Sequence, residues 1–193
     1  AATAPNDEEI LTKALKHSIE HWGNPSSIHK AGTDAKKALE TARKRAAQAL
    51  GVNAENIFFT SGGTEGDHIA ILSVLNRPQK GSVVLSSIEH PALREMTKSM
   101  QNCGWKVINV NPDKNGIVCA QSISNALQED TAFVSVMAVN NETGAIQPIY
   151  EIAKIIEEKT KGKRKPFFHV DCVQAAGKIP LNLKASGIDS ASF

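Results

Sequence analysis

The strongest constraint on the fold of this sequence is the regular exchange of short apolar runs with longer stretches of helical character. Residues 33–50 (Thr33 to Leu50) are rich in Ala, Lys, Arg, Glu and Leu and hold no Gly or Pro, which predicts a helix stopped by Gly51. Asn56 to Thr60 reads as a strand, Glu65 to Leu75 as a helix, and Ser82 to Ser86 as a strand. Pro91 opens a helix that runs to about Cys103. Lys106 to Val110 is a strand, Ser122 to Gln128 a short helix, and Ala132 to Val139 a long apolar strand. Pro148 to about Lys159 is a helix with Ile149, Ile152, Ile155 and Ile156 on one side, and Phe167 to Val170 is the last clear strand. Alternation of this kind predicts an α/β fold: a mostly parallel sheet flanked by helices on both faces. Strands that are apolar throughout fit a sheet covered on both sides.

A chain of 193 residues, 41% hydrophobic and 22% charged, can bury a core of useful size. Its net charge of +2 makes no case for nucleic acid or a membrane as partner. The basic stretch Lys159 to Lys165 reads as a solvated loop between a helix and a strand, because nothing aromatic interleaves it. No apolar run is long enough to span a bilayer. No signal segment is expected at the start, where the first residue is Ala1 rather than Met. Cys103, Cys119 and Cys172 are far apart and odd in number, with no metal-ligand spacing. They predict no metal and fit a reducing, cytoplasmic compartment.

In open sheets of this kind ligands gather at the carboxyl ends of strands, so the residues that follow the strands are where chemistry is sought. Thr60-Ser61-Gly62-Gly63-Thr64-Glu65 follows a strand and opens a helix. Its glycines let the backbone approach an anion and the helix N-terminus offers free N–H groups, although a capped glycine turn would read the same way. It lacks the Lys of a nucleotide P-loop and the spaced glycines of a dinucleotide site. Ile88-Glu89-His90-Pro91 places a His where it can stack on a flat ring, move protons or cap the next helix. Asn140-Asn141-Glu142-Thr143-Gly144 offers two amides at a strand end, for a ligand or for a polar turn. Phe168-His169-Val170-Asp171-Cys172-Val173-Gln174 ends an apolar strand on a carboxylate, which is costly to bury unless a cation pairs with it. A protonated pyridine nitrogen is one such cation, and a structural cap is the plainer role.

Taken together and in this order, the four loops resemble those of the cysteine desulfurases, within the class V aminotransferase group of fold-type-I pyridoxal-phosphate (PLP) enzymes. Further matches are Gly23-Asn24-Pro25-Ser26-Ser27-Ile28-His29, Gly144 to Pro148 with Gln147, and Gly177-Lys178-Ile179-Pro180; the resemblance runs from Ala1 to Phe193. It implies the large domain of the PLP-transferase fold type I, incomplete at its C-terminal side. Residues 1–15 would be an N-terminal segment associated with the small domain, and residues 16–193 the PLP-binding large domain.

The resemblance also implies roles. Gly63 and Thr64 hold the cofactor phosphate, His90 stacks on the ring and assists proton transfer, and Asp171 pairs with the ring nitrogen. Gln174 hydrogen-bonds the phenolic oxygen, Asn141 lies near the substrate carboxylate, and the Ala2-Thr3 backbone and Asn24 lie at the substrate end. The implied reaction converts cysteine to alanine and leaves a persulfide on an enzyme cysteine, for iron–sulfur cluster or thio-cofactor assembly. The implied partners are a sulfur-acceptor protein and a second copy in a homodimer. The cofactor-binding lysine, the sulfur-accepting cysteine and the substrate-carboxylate arginine of the family lie beyond Phe193, so this chain alone is expected to be inactive and to need its missing half, on the same or a second chain. Neither Cys172 nor Lys178 takes over those roles. Departures from the family are His68 for a usual Asn, the pair Gly66-Asp67, and Ala4 for a usual Thr. A selenocysteine lyase of the same family, or a non-catalytic scaffold or partner subunit, is the alternative reading.

Overall fold

The helices begin where side chains can satisfy the first-turn amides. In a computed structural model describing residues 3, 5–184 and 186–193, Asp7 accepts a hydrogen bond from the Ile10 amide at 3.0 Å and starts helix α1 (Glu8–Glu20). His29 does the same for Gly32 at the start of α2 (Lys30–Leu50). Helix α2 ends as expected on Gly51, whose φ of 69° places it in the left-handed region where a side chain is disfavoured. These helices belong to one of two units, made of Thr3–Phe59 and Asn182–Lys184. Helix α1 was not anticipated, and none of its residues is buried: Ile10, Leu11, Leu15 and Ile19 are all more than half exposed. The expected contributions of Ala2 and Ala4 lie outside the described residues.

The strand expected at Asn56 to Thr60 is not one. A short 3-10 turn spans Ala54–Asn56, and Ile57 is extended but has no ladder partner among the described residues. Its carbonyl accepts instead from the Arg43 guanidinium, which also lies 5.1 Å over the Phe59 ring. An apolar run makes a strand only where a neighbour supplies the hydrogen bonds.

The second unit comprises Thr60–Leu181 and residues 186–193. It holds α3 (Gly63–Leu75), β1 (Ser82–Ser86), α4 (Pro91–Asn102), β2 (Lys106–Val110), α5 (Ala120–Ala126), β3 (Thr131–Ser135), α6 (Ile149–Lys159), β4 (Phe167–Asp171) and β5 (Ser190–Ser192). The strands are all parallel, in the order β2-β1-β3-β4-β5. Successive strand residues face opposite sides, and the two cores divide accordingly. Val84, Val134, Phe168 and Val170 pack with Ile123 of α5 and Ile149, Ile152 and Ile156 of α6. Val83, Leu85 and Phe133 pack with Ile71 and Val74 of α3 and Leu93 and Met100 of α4. Strand β5, with the sequence Ser-Ala-Ser, carries no apolar run and escaped the sequence reading.

The strand predicted to run to Val139 ends at Ser135. Its amides at Val136 and Ala138 still donate to His169 and Asp171 of β4. On the other side β1 has already turned away after Ser86, and the Met137 amide donates to the Glu89 carboxylate instead, at 2.7 Å. The order β2-β1-β3 reverses direction at this point, which opens a crevice beyond the ends of β1 and β3.

Phe133 is fully buried and stacks against Phe167 and His169. Phe133→Ala is expected to lose about 3–5 kcal/mol of stability in urea unfolding. A loss below about 1 kcal/mol would show that this face of the sheet is not a core.

Candidate functional site

Four chain segments meet at the carboxyl edge of the sheet in the second unit. Glu89, only 2% exposed, sits at the crevice and accepts hydrogen bonds from the Ser86 and Ser135 hydroxyls and the Met137 amide. Burial drives its carboxyl up to about 7; the Ser86 and Met137 donors oppose this, and nearby Asp171 adds to it. Next in sequence, His90 is half-buried and caps α4, its Nδ1 accepting from the Ala92 amide at 3.2 Å. That leaves Nε2 as the ring nitrogen not used in the cap. His68 of α3 donates from Nε2 to the Ala92 carbonyl at 3.2 Å, so two histidines hold the first turn of α4 from both sides of one residue.

Helix α3 differs from α1, α2 and α4 in having no side-chain cap at its N-cap residue, Gly62. Its first-turn amides are therefore not taken by a capping side chain, and the helix dipole favours an anion there. Glu65 turns back to accept from the Ser61 amide at 2.5 Å, and that bond holds its carboxyl below the ordinary value. A Cβ built on Gly63 would lie 2.3 Å from Cγ2 of Val173. The start of α3 thus touches the chain two residues past Asp171, with no room for a side chain between them.

Asp171 ends β4, 5% exposed, and accepts from the Val173 amide at 2.9 Å. Burial and then the neighbouring Asp67 raise its carboxyl above the usual range, while Val173, His169 and His90 pull it down. His90 and Asp171 are thus electrostatic neighbours, as a shared site requires. Cys172 beside it is fully buried, and burial followed by Asp171 pushes its thiol up to about 12, so it stays protonated.

The structure therefore brings Gly63, His90 and Asp171 to one edge of the sheet. Thr64 follows at the exposed second position of α3. Gln174 is half-buried, its Oε1 accepting from Lys178 Nζ at 2.6 Å. Asn141 is half-buried in the loop after β3. Its neighbour Asn140 organises that loop, accepting from the Glu142 and Thr143 amides and donating to the Ile88 carbonyl. Asn24 belongs to the other unit, exposed, and accepts from the Ser26 amide at 2.9 Å. Sequence reasoning missed Glu89, Asp67 and His169 as a group. The signal available was His169, an ionisable residue inside the apolar run of β4; Asp67 and Glu89 sit among polar neighbours. Among the described residues no group of three or more His, Cys, Asp or Glu is placed to hold a metal ion.

The aminotransferase class-V family model matches residues 1–193. The chain belongs to that family. A relative of this class-V chain, the cysteine desulfurase IscS of Methanosarcina thermophila, is 40% identical over 195 residues, which cover all of this chain and 47% of the relative. The putative cysteine desulfurase IscS 1 of Bacillus subtilis (strain 168) is 39% identical over 194 residues, covering all of this chain and 50% of its own. Among solved structures, a NifS-like protein matches with a TM-score of 0.91 at 36% identity, over 99% of this chain and 53% of that one. SspA in complex with cysteine matches with a TM-score of 0.89 at 28% identity, over 99% and 55%. The fold is the fold-type-I α/β architecture of these proteins, and the chain spans about half the length of the curated relatives it matches.

Glu89 gives this class-V chain a testable pH signature. Its folded form keeps a proton that the unfolded chain, near 4.5, releases. The stability this contributes is complete below about pH 4.5 and is lost as pH rises through about 7. Glu89→Gln keeps the shape, accepts at one atom and can donate to Ser135 at the other. Urea unfolding at several pH values is expected to show the stability of the unaltered protein falling relative to Glu89→Gln across that window. A difference that is flat or rises with pH would mean that Glu89 titrates as an ordinary carboxylate.

Proposed function

We propose that this chain is the cofactor-binding part of a PLP-dependent cysteine desulfurase. The observation that carries the reading is the contact of Gly63 with Val173, which sets an uncapped helix N-terminus against the end of β4 where Asp171 is buried. An anion site and a buried carboxylate so joined suit a ligand with a phosphate at one end and a cationic ring nitrogen at the other. The residues present fit that group. The amides of Gly63 and Thr64 and the Thr64 hydroxyl would hold the phosphate, and Asp171 would pair with the ring nitrogen. When bound, PLP supplies an electron sink for bonds broken beside the α-carbon of an amino acid.

The protein's own residues do the rest. A cation beside Asp171 offsets the burial that otherwise raises its carboxyl, so the carboxylate stays ionised and holds the ring nitrogen in its protonated form. His90, its Nδ1 accepting from Ala92, would stack its ring face on the cofactor and keeps Nε2 for carrying a proton. Gln174, whose Oε1 accepts from Lys178, is assigned to the phenolic oxygen on the family resemblance. Asn141 would contact the substrate. The relatives named cysteine desulfurase support cysteine as the substrate, and the neighbour SspA is known in complex with it. Sulfur would leave as a persulfide on a cysteine other than the inert Cys172, for a sulfur-acceptor protein. We further propose a homodimer in a reducing, cytoplasmic compartment, with residues 1–15 associated with the small domain and residues 16–193 forming the PLP-binding one.

PLP titrated against the purified protein and followed by absorbance tests the reading. Thr64→Val removes one charge-assisted donor and is expected to weaken binding about 10- to 100-fold with the fold retained. Asp171→Asn is expected to change the spectrum of the bound cofactor and to cripple conversion of cysteine to alanine in the complete enzyme. Unchanged affinity in the first variant together with an unchanged spectrum in the second would place the cofactor elsewhere.

A further inference from the structure

Behind Asp171 lies a second buried polar system that no step above uses. Asp67, on the second turn of α3, and His169, two residues before Asp171 on β4, are each 1% exposed. His169 Nε2 donates to Asp67 Oδ1 at 3.1 Å, and the Ser192 hydroxyl donates to the same oxygen. His169 Nδ1 meets the Ser190 hydroxyl at 2.7 Å. The partner of Nε2 is a carboxylate oxygen, so Nε2 carries a proton, and the Ser190 hydroxyl can serve Nδ1 as donor or acceptor. One chain of contacts, Ser192–Asp67–His169–Ser190, therefore ties α3 to β4 and to β5.

The backbone is shaped for this tie. A Cβ on Gly66 would lie 2.9 Å from Cβ of Ser192, so α3 approaches β5 closely enough for Asp67 to reach in. The ladder sets His169 opposite Ser190 and Asp171 opposite Ser192. Residues two apart on a strand share a face, so His169 and Asp171 both project toward the side where Phe133 and α3 pack. Asp67 also lies three residues after Thr64 on one helix, so the residue that grips β4 is rigidly linked to the anion-binding turn.

We propose that Asp67 is a positioning residue for Asp171. Acting through His169, it pins the end of β4 against α3 and sets the charge that Asp171 presents to its ligand. The inference rests on the reading of Asp171 as the ring-nitrogen partner. The charged and titratable groups around Asp171 are Asp67 from α3, His169 and Cys172 from its own strand and its end, and Glu89 and His90 from the loop before α4. Asp67 and His169 act on it with opposite sign, the first favouring its proton and the second its charge.

That opposition gives the test. The carboxyl titration of Asp171 is followed by 13C NMR in cofactor-free protein, its resonance assigned by loss in Asp171→Asn. Asp67→Asn keeps an oxygen acceptor for His169 and Ser192 but removes the charge; the Asp171 midpoint is expected to fall. His169→Gln keeps a donor to Asp67 but removes the imidazole; the midpoint is expected to rise. Midpoints that stay put, or move the same way in both variants, overturn the proposal. Should one variant fail to fold, the direction of the other decides alone. Because the protein carries no cofactor in this experiment, a failure to bind PLP would strike the proposed function and leave this result standing.

Discussion

The geometry of the carboxyl edge depends on one substitution of partners: the amide of Met137 finds the carboxylate of Glu89 where a strand carbonyl would otherwise be. In a parallel sheet an inner strand must satisfy its amides on both sides, and β3 loses β1 after Ser86. Without a substitute, a buried N–H would stand unpaired at a cost of about 1–3 kcal/mol. Glu89 supplies that acceptor and ties the ends of β1 and β3 across the crevice through Ser86 and Ser135. The next residue along is His90, so the anchoring of Glu89 also sets where the helix α4 and its capping imidazole begin.

Several ionisable groups are gathered in a small volume here: Glu89, Asp67, His169, Asp171 and, half-exposed, His90. Burial raises the proton affinity of Glu89 and of Asp171, and the hydroxyls and amides that donate to them lower it again. The balance differs from one carboxylate to the next. Glu89 has three donors about it, Asp67 has an imidazole and a hydroxyl, and Asp171 has one backbone amide. Among the described residues Asp171 is thus the least compensated of the three, which is the state a carboxylate needs if a cationic ligand is to be its missing partner.

Much of this was legible in the sequence, for definite reasons. β1 and β2 were read to the residue because each is a short β-branched run with a sharp break at both ends. Pro91 and Gly51 marked helix ends for opposite reasons, the proline because its fixed φ and missing N–H suit a first turn, the glycine because it enters the left-handed region without strain. Asp171 stood out as a carboxylate closing an apolar strand. What could not be read depends on partners distant in sequence. Asn56 to Thr60 has strand composition and no ladder, whereas Ser190–Ser192 has no strand composition and a ladder with β4. Asp67 looks like any polar helix residue until His169, 102 positions away, is placed against it. The role of Asn24 came from family resemblance alone, whereas Asn141 also stood out as one of two amides after an apolar run.

The close fit of Gly63 against Val173 has a consequence for how such a chain can vary. The two positions share one small volume, and a methyl added at the first meets Cγ2 of the second at 2.3 Å. A change to Ala at 63 is tolerable when residue 173 gives up its branched side chain. A side chain at 63 therefore demands a smaller or turned-away side chain at 173.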